Sequence, residues 1–186
     1  MDRPLARTAP LGAVALSVAC CAALVAVPAH ASLVSTWEVG NGSQVSNLQF
    51  DFQNGNSYLY IVHWDGLTTG RDLFDIVGAA QPGFFVSDIV TFPFGDALYG
   101  QAIGSDGNAG FGTPPDFFDF WHYWTRPTVS VAWESSFVGF GDRVVSAGSW
   151  DGWVFGGDAP PATVPAPGAV AAIVVGVASN RRRRRR

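Results

Sequence analysis

The chain has 186 residues, 48% hydrophobic and 13% aromatic, with 22 glycines and 12 prolines. That apolar content excludes a disordered chain, and the glycine and proline load favours turns and short strands over a helical bundle. Eight of the 11 arginines lie at the two ends and there is no lysine, so the middle sets three arginines against fourteen acids, near −11, a charge that repels nucleic acid.

Residues 1–31 have the layout of a secretory signal peptide. Arg3 and Arg7 make a basic start, Leu11 to Val27 an Ala/Val/Leu-rich run, and Ala29-His30-Ala31 a small-x-small cleavage site. An uncleaved anchor is the alternative. Val18-Ala19-Cys20 fits a lipobox in part, with Ser17 where a leucine is usual. Cys20 and Cys21 are the only cysteines, so removal of this segment leaves no thiol, disulfide or cysteine metal site.

Residues 32–158 read as one β-rich globular domain, long enough for a real core. Leu33 to Val39 alternates as a first strand, and Gly40-Asn41-Gly42-Ser43 is a turn. Leu48, Phe50 and Phe52 alternate with Gln49, Asp51 and Gln53, the pattern of a half-buried strand. Asn54-Gly55 predicts a tight hairpin, with Tyr58 to Trp64 as the returning strand. A helix is expected next, capped by Thr68 or Thr69, with Asp72 near its positive end and Leu73, Phe74, Ile76, Val77 and Ala80 as its apolar stripe; Gln81-Pro82-Gly83 stops it.

Strand pieces follow at Phe84–Val86, Ile89–Phe92 and Ala97–Ile103. Gly104 to Pro115 reads as a long flexible loop. Phe117 to Trp124 then holds six aromatics in eight residues and predicts a strand that seeds the core. Alternation puts Phe118, Phe120, His122 and Trp124 on one face and Phe117, Asp119, Trp121 and Tyr123 on the other. Neither face is polar, so both should be covered, one by the helix and one by a loop or ligand. After an Arg126-Pro127 turn, Val129 to Glu134 is read as another strand. The cluster Trp150-Asp151-Gly152-Trp153-Val154-Phe155 is the expected partner of the aromatic strand.

The C-terminus falls into three parts. Residues 159–168 are a Pro/Ala linker, expected to be extended and solvated. Residues 169–180 are a short apolar anchor segment, and 181–186 are six arginines in a stop-transfer position. As a helix, Val164 to Ser179 reaches about 24 Å at ~1.5 Å per residue, less than the ~30 Å hydrocarbon core.

Catalytic patterns are thin. His63 and His122 could act as bases or ligands, but both sit in aromatic strands, where packed histidines are commoner. Gly148-Ser149-Trp150-Asp151-Gly152 is not a nucleophile elbow. Asp116 and Asp119 could form a glycosidase-like pair, and Asp106-Gly107-Asn108 lacks the further acids of a calcium loop. No catalytic residue, metal or cofactor is therefore assigned. The ligand-binding candidates are Trp64, Asp65, Trp121, Tyr123, Trp124, Trp150, Asp151 and Trp153, where aromatic faces lie beside acids that could orient a sugar ring or flat ligand. The competing reading is core packing, since tryptophan is usually largely buried.

Two resemblances follow. Val164-Pro165-Ala166-Pro167, the apolar run and the block beginning Arg181-Arg182-Arg183 resemble the PEP-CTERM sorting signal, with Ala166 where the family has glutamate. This implies an exosortase and signal peptidase as processing partners, an inner-membrane intermediate, and display at the cell surface or in a polysaccharide matrix. Residues 45–156 are similar to transcobalamin-like β-grasp domains. That similarity rests on a helix after the second strand, on Trp121-His122-Tyr123-Trp124, and on Gly139-x-x-Asp142-x-Val144 followed by Asp151-Gly152-Trp153, with Ala147-Gly148 where the family has Asp-Gly. It implies a small ligand, a corrinoid among the options, or a partner. The expected fold is α+β, a mostly antiparallel sheet with one helix packed on it. The expected function is a non-catalytic binding or structural domain, with a secreted polysaccharide hydrolase using paired carboxylates as the alternative.

Overall fold

Asn54 and Gly55 close a hairpin between β2 (Gln44–Asp51) and β3 (Asn56–Trp64), and Gly55 takes the left-handed conformation, φ 84°, that such a turn demands. The computed structural model describes residues 32–115 and 117–164. The signal peptide, Asp116, the anchor segment and the arginine tail, with Pro165, Ala166, Pro167, Arg181, Arg182 and Arg183, lie outside the described residues. Among those described, no helix is long and apolar enough to cross a membrane.

The remaining elements are β1 (Ser32–Gly40), α1 (Gly70–Ala80), β4 (Phe85–Phe92), β5 (Gly95–Ile103), β6 (Asp106–Ala109), β7 (Trp121–Arg126), β8 (Glu134–Ser135) and β9 (Trp150–Phe155). Six strands form one sheet in the order β1-β3-β2-β9-β7-β8, and β4-β5-β6 form a second. The fold is α+β and mostly antiparallel, with parallel pairing only at β1–β3 and β2–β9 among the described strands. The last strand thus enters the middle of the sheet. It runs parallel to β2 on one side and antiparallel to β7 on the other.

Alternation sorts the sheet into two faces. Leu48 and Phe50 of β2, Tyr60 and Val62 of β3, Trp121 of β7 and Trp153 of β9 meet Leu73, Phe74 and Val77 of α1 in the main core. The helix lies here because its stripe recurs at helical spacing and its start is well closed. Thr69 Oγ1 accepts from the Asp72 amide at 3.3 Å, and the Asp72 carboxylate accepts from the Thr69 amide at 2.7 Å, a complete capping box. Thr69→Ala removes the hydroxyl and is expected to cost about 1 kcal/mol, read as a lowered Tm in a thermal melt.

Four expectations need correction. The aromatic strand begins at Trp121, not Phe117. Phe117 has φ 54° and Phe118 is half exposed, because the chain turns there, with Asp119 accepting from both the amide and the hydroxyl of Thr113. Gly104 to Pro115 is not a free loop: residues 106–109 are β6, hydrogen-bonded to β5. Asp106 pins that hairpin by accepting from Tyr58 Oη at 2.7 Å, Asn56 Nδ2 at 2.7 Å and Asn54 Nδ2 at 3.0 Å. Val129 to Glu134 is not a strand; only Glu134–Ser135 pairs, and Val129 and Val131 are exposed.

The fourth concerns the second face of the sheet, where Gln49 and Asp51 are buried rather than solvated. Residues 161–164 of the expected solvated linker lie across them. Gln49 Nε2 donates to the Ala162 carbonyl at 2.9 Å, and the Ala162 amide donates to Asp51 Oδ2 at 2.6 Å. Both faces are therefore covered, one by α1 and the other in part by this strap.

Candidate binding site

Where the second sheet meets β7, the core opens into a cleft of about 310 Å³. Its floor is Trp121, Tyr123, Phe140 and Trp153, and its walls are Leu98, Phe111, Phe120, Phe137 and Val138. Tyr123 stacks on Trp153 with ring centroids 4.5 Å apart, and Phe140 meets Trp153 edge-on at 5.2 Å. These contacts lock the floor rings against one another, since stacked and edge-to-face pairs are the favoured aromatic arrangements.

The rim is apolar and open to solvent. Phe137 is fully exposed, and Val138 and Phe111 are about half exposed. From Phe111 the aromatic surface continues to Tyr99 at 4.9 Å and to Phe92 at 5.7 Å, and Phe92 stacks on Phe94 at 5.0 Å. Phe94 is itself largely exposed. Phe94, Tyr99 and Phe111 are exposed and Phe92 is half-buried, so these rings form one continuous apolar patch rather than scattered surface residues.

Polar groups in the cleft are few. Asp96 is held by Arg71 Nη1 at 2.9 Å and by the Thr91 hydroxyl at 2.6 Å. Ser136 Oγ donates to the Val138 carbonyl at 2.8 Å. Asp96 is the one carboxylate among the described lining residues, and it is already paired. The cleft can stack a ring and offer it one or two hydrogen bonds.

Behind the floor sits a buried charged group. Asp151 is 1% exposed and accepts from Arg143 Nη1 at 2.8 Å and from the Tyr123 hydroxyl. Burial pushes its carboxyl up to about 6, while Arg143 and the Tyr123 hydrogen bond pull it back down. The Tyr123 hydroxyl is pushed far up, first by burial and then by the neighbouring carboxylate. This cluster fixes the Tyr123 ring and with it the cleft floor.

Of the residues expected to bind, Trp121, Tyr123 and Trp153 come together here, with Asp151 behind them. The others lie elsewhere. Trp64 is buried and donates from Nε1 to Ser46 Oγ at 3.0 Å; Asp65 accepts from the Ser43 amide and hydroxyl in an exposed turn. Trp124 and Trp150 sit on the opposite face of the sheet, and Trp150 stacks against the Arg126 guanidinium at 4.3 Å. His63 Nε2 lies 2.6 Å from Glu38 Oε1; His122 stacks on Phe120, and burial lowers its pKa. Among the described residues, no group of three or more potential metal ligands occurs. Sequence reasoning missed Phe111, Phe137 and Asp96. Phe111 was hidden in a glycine-rich stretch, and no strand pattern surrounds Phe137.

A scan against protein-family models finds no match, and a search of curated proteins finds no relative.

Proposed function

We propose that this chain is an exported, surface-displayed binding module without catalytic activity, and that its cleft stacks one ring of an extracellular ligand, a sugar residue of a matrix polysaccharide being the favoured class. The observation that carries this is the exposed aromatic band running from Phe94 through Phe92 into the walled cleft at Phe111. Aromatic faces meeting a few fixed polar groups are what a ring ligand needs. A cleft of about 310 Å³ seats a single ring, so a corrinoid would have to lie across the rim. The hydrolase reading is weaker, because it calls for two facing carboxyls and Asp96 is tied to Arg71 and Thr91.

Export and sorting are part of the same proposal. Ser32, which follows the Ala29-His30-Ala31 site, is the first residue of β1, so loss of residues 1–31 leaves every described strand whole. A β-grasp relationship is favoured by the sheet order, in which β9 enters between β2 and β7 after a hairpin and a helix.

Titration with oligosaccharides, followed by tryptophan fluorescence, tests the binding reading. Phe111→Ala and Phe137→Ala are each expected to weaken binding about 3–10-fold while leaving Tm nearly unchanged, since each removes one stacking surface from an exposed rim. No saturable change with any glycan or small aromatic ligand would reduce the domain to a structural role.

A further inference from the structure

On the face of the large sheet away from α1, a short piece of the chain is held as a ligand would be. The Ala162 amide donates to Asp51 Oδ2, and the Ala162 carbonyl accepts from Gln49 Nε2. An extended residue points its N–H and C=O to the same side, so two side chains on one strand catch both. The clamp is also tied together within the sheet: Gln49 Nε2 donates to Asp51 Oδ1 at 2.9 Å, and Ser57 Oγ donates to the same oxygen at 2.6 Å. Gln49 and Ser57 are fully buried. Buried polar groups of this kind are costly unless satisfied; the strap gives partners to Gln49 Nε2 and Asp51 Oδ2, while Gln49 Oε1 stays buried without one.

Side chains add selectivity. Pro161 sits where Gly152 has no Cβ; a Cβ there would collide with Pro161 Cγ and come within 2.8 Å of the Trp133 ring. Val164 is 2% exposed, packed in a cluster with Leu59 and Trp150. Trp133 is held over the sheet by the Arg126 guanidinium, which lies 4.2 Å from its ring and 4.3 Å from that of Trp150. Thr163 is exposed. Pro161 and Val164 are the two buried side chains of the segment, with half-buried Ala162 and exposed Thr163 between them. Backbone contacts for affinity and spaced side-chain pockets for choice is the usual division of labour in peptide recognition.

We propose that this face is a docking groove for an extended Pro/Ala-rich peptide of the form Pro-x-x-Val, and that its occupant is the chain's own segment Pro161–Val164. The groove is independent of the aromatic cleft, which lies on the α1 side of the same sheet.

Amide exchange at Ala162, measured on the full chain, tests the docking. The Ala162 amide is expected to exchange about tenfold or more slowly in the wild type than in Val164→Asp, which removes the apolar anchor without touching the sheet. Gly152→Val, which fills the Pro161 position, should have the same effect; near-UV circular dichroism checks that each variant keeps its core. A synthetic Pro-Pro-Ala-Thr-Val-Pro peptide added to the Val164→Asp chain is then expected to bind saturably, with a change in tryptophan fluorescence, and a peptide carrying Asp in place of Val is not. Equal exchange rates at Ala162 in wild type and Val164→Asp would overturn the proposal. So would a peptide that fails to saturate, or a control peptide that binds equally well.

Discussion

Arg143→Met is expected to lower the unfolding free energy by about 3–5 kcal/mol, the range for removing one partner of a buried ion pair. The loss comes mainly from what is left behind. Asp151 is 1% exposed, and without Arg143 it keeps the Tyr123 hydroxyl but no countercharge among its contacts. The segment that carries Arg143 is also the seat of α1: Gly70 N donates to the Arg143 carbonyl at 3.0 Å, Arg71 N to that of Phe140 at 3.0 Å, and Val145 N to that of Thr68 at 2.8 Å. The first two satisfy helix-start amides that nothing within the helix can reach, and the third ties the residue before the cap to the same segment. Arg71→Met is the contrasting variant. Its partner Asp96 lies 2.9 Å away, but the arginine is about a third exposed, so a loss of under about 1 kcal/mol is expected.

The same variant has a pH signature. In the wild type the Asp151 carboxyl titrates near 6 when folded, above its ordinary value of 3.8. The folded chain therefore binds more protons than the unfolded chain between those limits, and this group's contribution to stability falls as pH rises from about 3.8 through about 6. Arg143 is the cation that holds the carboxyl down, so its removal moves the folded value higher still. The deficit of Arg143→Met should then be modest at pH 5 and full at pH 8. Denaturant midpoints at the two pH values, with unchanged m, read this directly. A deficit independent of pH would mean that Asp151 does not feel Arg143. Arg143→Met combined with Asp151→Leu should recover much of the loss, because an apolar pair of similar volume leaves no buried charge.

Local chemistry was the part of the fold that could be read from the chain. Asn54-Gly55 and the Thr69 cap act within a few residues, and both elements stand within a residue or two of where the pattern puts them. Pairing across the chain was less visible. β6 is four small or polar residues, Asp106 to Ala109, and only the neighbouring edge of β5 makes them a strand. Phe117 and Phe118 share the composition of a core strand, yet they are exposed, because aromatic alternation describes a sticky rim as well as a buried strand. The strap is a long-range pairing as well. Pro161 to Val164 looks solvated until Gln49 and Asp51, more than a hundred residues earlier, are seen to be its partners. At the site, the floor was legible in Trp121, Tyr123 and Trp153; the rim at Phe111 and Phe137 was not, since exposed aromatics outside strands leave no periodic trace.

The largest loss from a single apolar residue is expected at Phe50. Its ring is fully buried and makes four edge-on aromatic contacts, with Phe74 at 5.4 Å, Phe85 at 5.6 Å, Trp121 at 6.0 Å and Tyr60 at 6.5 Å. It joins α1, the start of the second sheet, the aromatic strand and the hairpin at one point. Rings packed on rings collapse poorly into a void, so Phe50→Ala should cost about 3–5 kcal/mol, at the upper end for a core truncation. Set against a typical total of about 5–15 kcal/mol for a domain, that is enough to unfold a weak one. The variant should show a lower urea midpoint with the wild-type m value. Because Trp121 also lines the cleft, ring-ligand affinity should fall in Phe50→Ala even under conditions where the chain remains folded. A loss below about 1 kcal/mol would mean that the aromatic contacts around Phe50 are not the core's centre. Phe94→Ala provides the comparison: that ring is largely exposed, and its removal should leave the unfolding free energy within about 0.5 kcal/mol of wild type.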